Sequence, residues 1–213
     1  MTRRTRIKIC GLTTPAAATA AVDAGADAVG LVFASGSPRC IDAKTAAAIR
    51  SSIPIFVRTV CVYRDAPIED IAATRGPADL LQLHGDEDDA YLRRLGEPVI
   101  RGFAYEPDAL RRWDECPGVA ALLVDGVTPG GGAAFDHDAI TPRASTLSKP
   151  LILAGGLTPE NVGVAVQRVR PFAVDVSSGV ESSPGVKDPG RIAAFCDAVR
   201  RADAAAANAI AER

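Results

Sequence analysis

Histidine is scarce in these 213 residues: His84 and His137 are the only two, and neither lies in a close cluster with cysteine. That argues against a zinc site built from the common Cys/His sets. The five cysteines, Cys10, Cys40, Cys61, Cys116 and Cys196, are odd in number and lack paired spacing. A disulfide framework is therefore not expected, and a reducing cytoplasm is the expected location. Charge of one sign is also missing. Lys and Arg number 24 against 26 Asp and Glu, a net charge of -2, and no basic block points to nucleic acid. No apolar run is long enough to span a membrane. The basic start at residues 1–6 is not followed by the apolar stretch of a signal peptide. With 47% hydrophobic residues, what remains is an ordinary globular chain able to bury a good core.

Apolar runs bounded by glycine or polar residues predict eight strands, near 6–10, 27–33, 55–63, 79–83, 98–103, 120–125, 150–154 and 172–176. Alanine-rich, charged stretches between them predict helices near 15–25, 42–50, 67–75, 87–95, 107–114, 138–147, 159–169 and 188–207. The fifth is short and the sixth contains Pro142. Runs such as Ala28-Val29-Gly30-Leu31-Val32-Phe33 and Leu151-Ile152-Leu153-Ala154 are apolar on both faces, as parallel strands covered by helices must be. Eight alternating units point to an α/β fold, a single (β/α)8 TIM barrel over residues 1–213. An open doubly wound sheet is the alternative, because periodicity does not show closure. The alanine-rich segment 202–213 reads as a frayed helix end or a disordered tail.

In a barrel, chemistry sits at the C-terminal ends of the strands. Strand alternation puts Lys8 and Cys10 on one face of the first strand, where an ammonium favours the thiolate. A small buried hydrophobe is the plainer reading of Cys10. The other ends carry Arg39 after Ser37-Pro38, His84, Asp125-Gly126, Gly155-Gly156, Asp175 and Ser178-Gly179. Each has a bland reading in isolation: a solvated cation, a core histidine, a tight turn. Glycine-bearing ends on the seventh and eighth strands together suit a phosphate cradle of backbone N–H groups, with Thr158-Pro159-Glu160 opening a helix beside it.

Lys8-Ile9-Cys10-Gly11, Ser37-Pro38-Arg39, Gln82-Leu83-His84-Gly85, Leu153-Ala154-Gly155-Gly156-Leu157 and Val174-Asp175-Val176-Ser177-Ser178-Gly179-Val180-Glu181 occur in that order, with Gly185 and Lys187-Asp188 behind them. The set resembles the phosphoribosylanthranilate isomerase family of tryptophan biosynthesis across about residues 7–195. The resemblance implies an Amadori rearrangement of phosphoribosylanthranilate, the third step from chorismate to tryptophan. It implies no cofactor or metal, no nucleic-acid or membrane partner, and a monomer or homodimer.

Carried over, the resemblance makes Cys10 the general base and Asp125 the general acid. Arg39 would hold the anthranilate carboxylate, Asp175 would meet the sugar hydroxyls, and His84 would support substrate without moving a proton. Gly155, Gly156, Ser178 and Gly179 would bind phosphate. For this chemistry Lys8 should lower the Cys10 pKa while burial raises that of Asp125. Residues 129–137 depart from the family's Gly-Gly-Thr-Gly and Phe-Asp-Trp pattern, a difference that bears on loop closure and affinity. Three other readings stand beside this one. A histidine-pathway isomerase would act on a bisphosphate, and indole-glycerol-phosphate synthase would need a lysine and glutamate pattern not found here. A non-catalytic phosphate-binding relative would keep the glycines alone.

Overall fold

The computed structural model describes residues 4–76, 78–126 and 137–211. Eight parallel strands form its centre: β1 (Arg6–Cys10), β2 (Ala28–Val32), β3 (Arg58–Tyr63), β4 (Leu80–Leu83), β5 (Val99–Ala104), β6 (Val119–Asp125), β7 (Leu151–Leu153) and β8 (Ala173–Val176). They pair in chain order, and β8 returns to β1, so the sheet is a closed barrel and the open-sheet alternative falls. Around it lie α1 (Pro15–Asp23), α2 (Ala43–Ser51), α3 (Ile68–Thr74), α4 (Asp89–Leu95), α5 (Pro107–Glu115), α6 (His137–Ala144), α7 (Val162–Val169) and α8 (Pro189–Ala211). Among the described residues no helix is long and apolar enough to cross a membrane.

Local chemistry explains the alternation. Thr14, Asp42 and Asp88 cap α1, α2 and α4 by accepting from Ala17 N, Thr45 N and Tyr91 N at 3.2, 2.7 and 2.8 Å. Pro15 and Pro107 stand in the first turns of α1 and α5, where no amide bond is lost. Along the strands one row, including Cys10, Val32, Val62, Leu123 and Ile152, fills the barrel. The alternate row, including Ile9, Leu31, Leu122, Leu153 and Val174, packs outward against the helices. Both rows are apolar, which is why the strands read as continuous hydrophobic runs.

Two expected boundaries move. β3 starts at Arg58 rather than near 55: Ile55 and Phe56 are 76% and 90% exposed in a turn that Val57 N closes onto Pro54 O at 3.1 Å. α7 starts at Val162 rather than at 159, because Asn161 Oδ1 accepts from Thr158 N at 2.8 Å and holds the preceding turn outside the helix. The segment from 202 continues α8 as far as Ala211. Ala202 is buried in α8, and Asp203 accepts from Thr5 N and Thr5 Oγ1, both at 2.8 Å. Finally, after β8 the chain makes a 3-10 turn at Ser178–Val180 and a small hairpin, β9 (Glu181–Ser183) with β10 (Val186–Lys187). The altered stretch at 129–136 lies outside the described residues, as do 212–213.

Candidate active site

The site is built from the strand ends upward. Lys8 on β1 is in register with Asp175 on β8, and both point into the barrel, where Lys8 Nζ donates to Asp175 Oδ1 at 2.8 Å. Cys10 lies one step further toward the mouth on the same row. Its partner in register, Gly30, has no side chain for good reason: a Cβ there would come within 2.6 Å of Cys10 Sγ. Burial pushes the thiol pKa up; Lys8 pulls it down, Asp175 opposes Lys8, and the balance stays above the ordinary value. This corrects the expectation that Lys8 lowers the thiol pKa outright. Its ammonium is shared with a carboxylate in the same dry layer, so it offsets only part of the desolvation.

Asp125 ends β6, with Oδ1 accepting from Gly126 N at 2.8 Å. Burial raises its carboxyl to about 6, the expected direction. Gly155 comes so close that a Cβ would stand 2.2 Å from Gly126 N and 2.5 Å from Asp125 Oδ1. With φ at +81°, that backbone also favours glycine. His84 packs flat on Gly102, where a Cβ would meet Nδ1 at 2.5 Å. Burial pushes its pKa down to about 4, so the ring is neutral near pH 7. Gln82 Nε2 lies 3.2 Å from His84 Nδ1. With that amide as donor, the ring proton sits on Nε2, which faces Asp125 Oδ2 at 3.7 Å, too far for a hydrogen bond.

A cavity of about 260 Å³ opens at this end, and Cys10, Arg39, His84, Asp125, Asp175, Gly155, Gly156 and Ser178 all line it. Gly179 stands behind the lining, where a Cβ would fall 1.9 Å from Leu157 O. Among the described residues nothing accepts from the N–H groups of Gly155 and Gly156. The structure therefore brings together every residue singled out from the sequence. It adds two that were quoted within motifs but given no role. Glu181 takes the Arg39 guanidinium side-on, and Lys187 donates to Glu181 at 2.7 Å. A carboxylate and a cation inside runs of small residues were the available signal. No three His, Cys, Asp or Glu side chains converge as a metal site among the described residues.

Residues 7–198 match the family model of N-(5'-phosphoribosyl)anthranilate (PRA) isomerase. The chain belongs to that family. An N-(5'-phosphoribosyl)anthranilate isomerase of Pseudomonas aeruginosa is 46% identical over 203 residues, covering 92% of this chain and 95% of that protein. The crystal structure of phosphoribosyl anthranilate isomerase from Thermus thermophilus superposes with a TM-score of 0.85 at 38% identity, covering 92% of this chain and 99% of that one. A second phosphoribosyl anthranilate isomerase, in complex with reduced 1-(o-carboxyphenylamino)-1-deoxyribulose 5-phosphate, gives a TM-score of 0.82 at 36% identity with the same coverage.

Proposed function

We propose that this barrel converts N-(5'-phosphoribosyl)anthranilate to 1-(2-carboxyphenylamino)-1-deoxyribulose 5-phosphate, as a single-domain cytoplasmic enzyme that needs no cofactor. One observation carries the reading. A thiol on β1 and a carboxyl raised to about 6 on β6 face one cavity, separated around the ring only by β7 and β8 with their glycine ends. Phosphate held at Gly155, Gly156, Ser178 and Gly179 fixes the sugar between the two groups.

Each step is a proton transfer. Asp125 in its acid form gives a proton to the furanose ring oxygen, the C1–O bond breaks, and the nitrogen lone pair forms a Schiff base. Cys10 as thiolate takes the C2 proton, and that electron pair makes the C1–C2 double bond of an enolamine. Tautomerisation puts a proton on C1 and leaves the ketone at C2. Asp175 meets the sugar hydroxyls while Lys8 holds it, and neutral His84 walls the site beside Asp125. Arg39 receives the ring carboxylate. Purified protein given phosphoribosylanthranilate generated in situ is expected to consume it; no turnover at micromolar enzyme would end the reading.

The partner at the opposite end is a second copy. Ile55 and Phe56 protrude where the strands begin, and a cavity of about 600 Å³ at the same end is lined by Leu147, Leu151 and Phe172. A two-fold axis seats each loop in the other copy's cavity. Phe56→Ser is expected to reduce the mass in sedimentation to one chain, and an unchanged mass would rule out this contact.

A further inference from the structure

Three charged side chains, Arg39, Glu181 and Lys187, form a cluster that none of the proton transfers uses. Arg39 Nε and Nη2 donate to Glu181 Oε1 and Oε2 at 2.7 and 2.8 Å. A guanidinium carries five N–H groups in one plane, and Glu181 occupies only the Nε edge. The Nη1–Nη2 edge keeps a second fork of the right width for another carboxylate. The arginine stem is fixed too: a Cβ on Gly11 would lie 2.5 Å from Arg39 Cδ, so the stem crosses bare backbone one residue past Cys10.

Left alone, Glu181 would repel an incoming carboxylate. Its side chain is 4% exposed, and Lys187, with none of its side chain exposed, donates to Glu181 Oε1 at 2.7 Å and to Ser177 O at 2.9 Å. Two cations and one anion leave the cluster with one net positive charge. The hairpin that delivers Glu181 and Lys187 is pinned where Gly185 meets Pro38, beside Arg39, since a Cβ there would come within 2.4 Å of Pro38 O. We infer that Glu181 and Lys187 are positioning residues that make the site select a carboxylated arylamine: Glu181 aims the free edge of Arg39, and Lys187 cancels the charge that Glu181 brings. This rests on the reading that Arg39 meets the ring carboxylate. Burial pushes the Glu181 pKa up, but Arg39 and Lys187 outweigh it and keep the group ionised.

The test is calorimetric binding of two ligands: reduced 1-(o-carboxyphenylamino)-1-deoxyribulose 5-phosphate, and the same compound without its ring carboxyl. Their affinity ratio isolates the carboxylate, because losses at the phosphate end cancel. Glu181→Gln and Lys187→Met are each expected to lower the ratio about fivefold or more, the scale of a charge-assisted hydrogen bond, with the descarboxy ligand little changed. The double variant should retain more of the ratio than Lys187→Met alone, since the uncancelled carboxylate is gone. Glu181→Asp, which keeps charge but shortens reach, should lose the ratio as well and serves if Glu181→Gln fails to fold. An unchanged ratio in folded Glu181 and Lys187 variants overturns the inference. Arg39→Met separates the two ideas: if it leaves the ratio intact, the carboxylate is held elsewhere and the reading of Arg39 itself falls.

Discussion

In the roles proposed for them, Cys10 and Asp125 share a problem at the scale of single residues: burial leaves each mainly in the form that those roles do not use. Near pH 7 a carboxyl at about 6 is mostly ionised, and a thiol above its ordinary value is mostly protonated. The working pair is a minority, and its population is the product of two opposed titrations. That product rises up to about pH 6, stays flat while one titration offsets the other, and falls only above the thiol pKa. kcat/KM should therefore show a broad plateau, and a narrow bell centred near neutrality would contradict these environments. Iodoacetamide should alkylate Cys10 faster with every pH unit across that plateau; peptide mapping separates it from exposed Cys40, and Lys8→Met should slow it further. Cys10→Ala is expected to cost about two to four decades in kcat with KM little changed. Asp125→Asn should lose comparably and yet gain stability. Because the folded pKa lies above the carboxylate's ordinary 3.8, ionisation favours the unfolded chain from there up to about 6, and the cost is constant beyond. Urea unfolding should find the asparagine variant more stable by roughly 2–3 kcal/mol at pH 8 and unchanged below pH 4. Equal stability at pH 8 would mean that the carboxylate is solvated.

Glycine shapes the strand ends at the scale of elements, because backbone must approach backbone there. Gly179 is the sharpest case, since a Cβ would collide with Leu157 O and force apart the turns after β7 and β8. Gly179→Ala should raise KM by about tenfold or more and weaken inhibition by inorganic phosphate, while the alkylation rate of Cys10 holds. A KM unchanged by the substitution would move the phosphate elsewhere. The same elements show why parts of the fold were legible and others were not. Strands buried on both faces and helices opened by Thr14 or Asp42 leave long local signals, so their positions could be read within a few residues. Ile55 and Phe56 imitate a strand because their exposure depends on what meets that face, which local pattern does not encode. The hairpin after β8 spans too few residues for any periodicity, and its reason to exist is tertiary: it carries Glu181 and Lys187 to Arg39. Cys10, Asp125 and the glycines were legible as residues, while the depth of burial that sets their pKa values was not.

The barrel is asymmetric across its mouth at the scale of the whole molecule, and the asymmetry counts phosphates. On the side of β7 and β8, Gly155 and Gly156 present N–H groups that no described residue takes. On the facing side, at the ends of β3 and β4, the corresponding donors are already occupied. Glu87 accepts from Asp65 N and Gly85 N, both at 2.8 Å, and Asp65 Oδ1 accepts from Asp86 N at 2.6 Å. Buried Arg101, a cation that could have faced an anion, is turned onto Leu83 O, Gly85 O and Glu87. Arg64 remains at the rim, exposed, with its Nε 3.8 Å from Asp65 Oδ2, whose charge opposes an incoming anion. A second phosphate would have to displace carboxylates from amides and sit among their charges, a cost that one exposed arginine does not offset. The histidine-pathway bisphosphate, whose two ends must both be held, should bind no better than its single phosphate allows. Measured side by side, phosphoribosylanthranilate should be turned over and the bisphosphate aminoaldose should show kcat/KM lower by at least about three decades, two lost charge-assisted contacts' worth. Comparable efficiency on the two would show that the β3–β4 side rearranges on binding, and the chain would then serve both pathways.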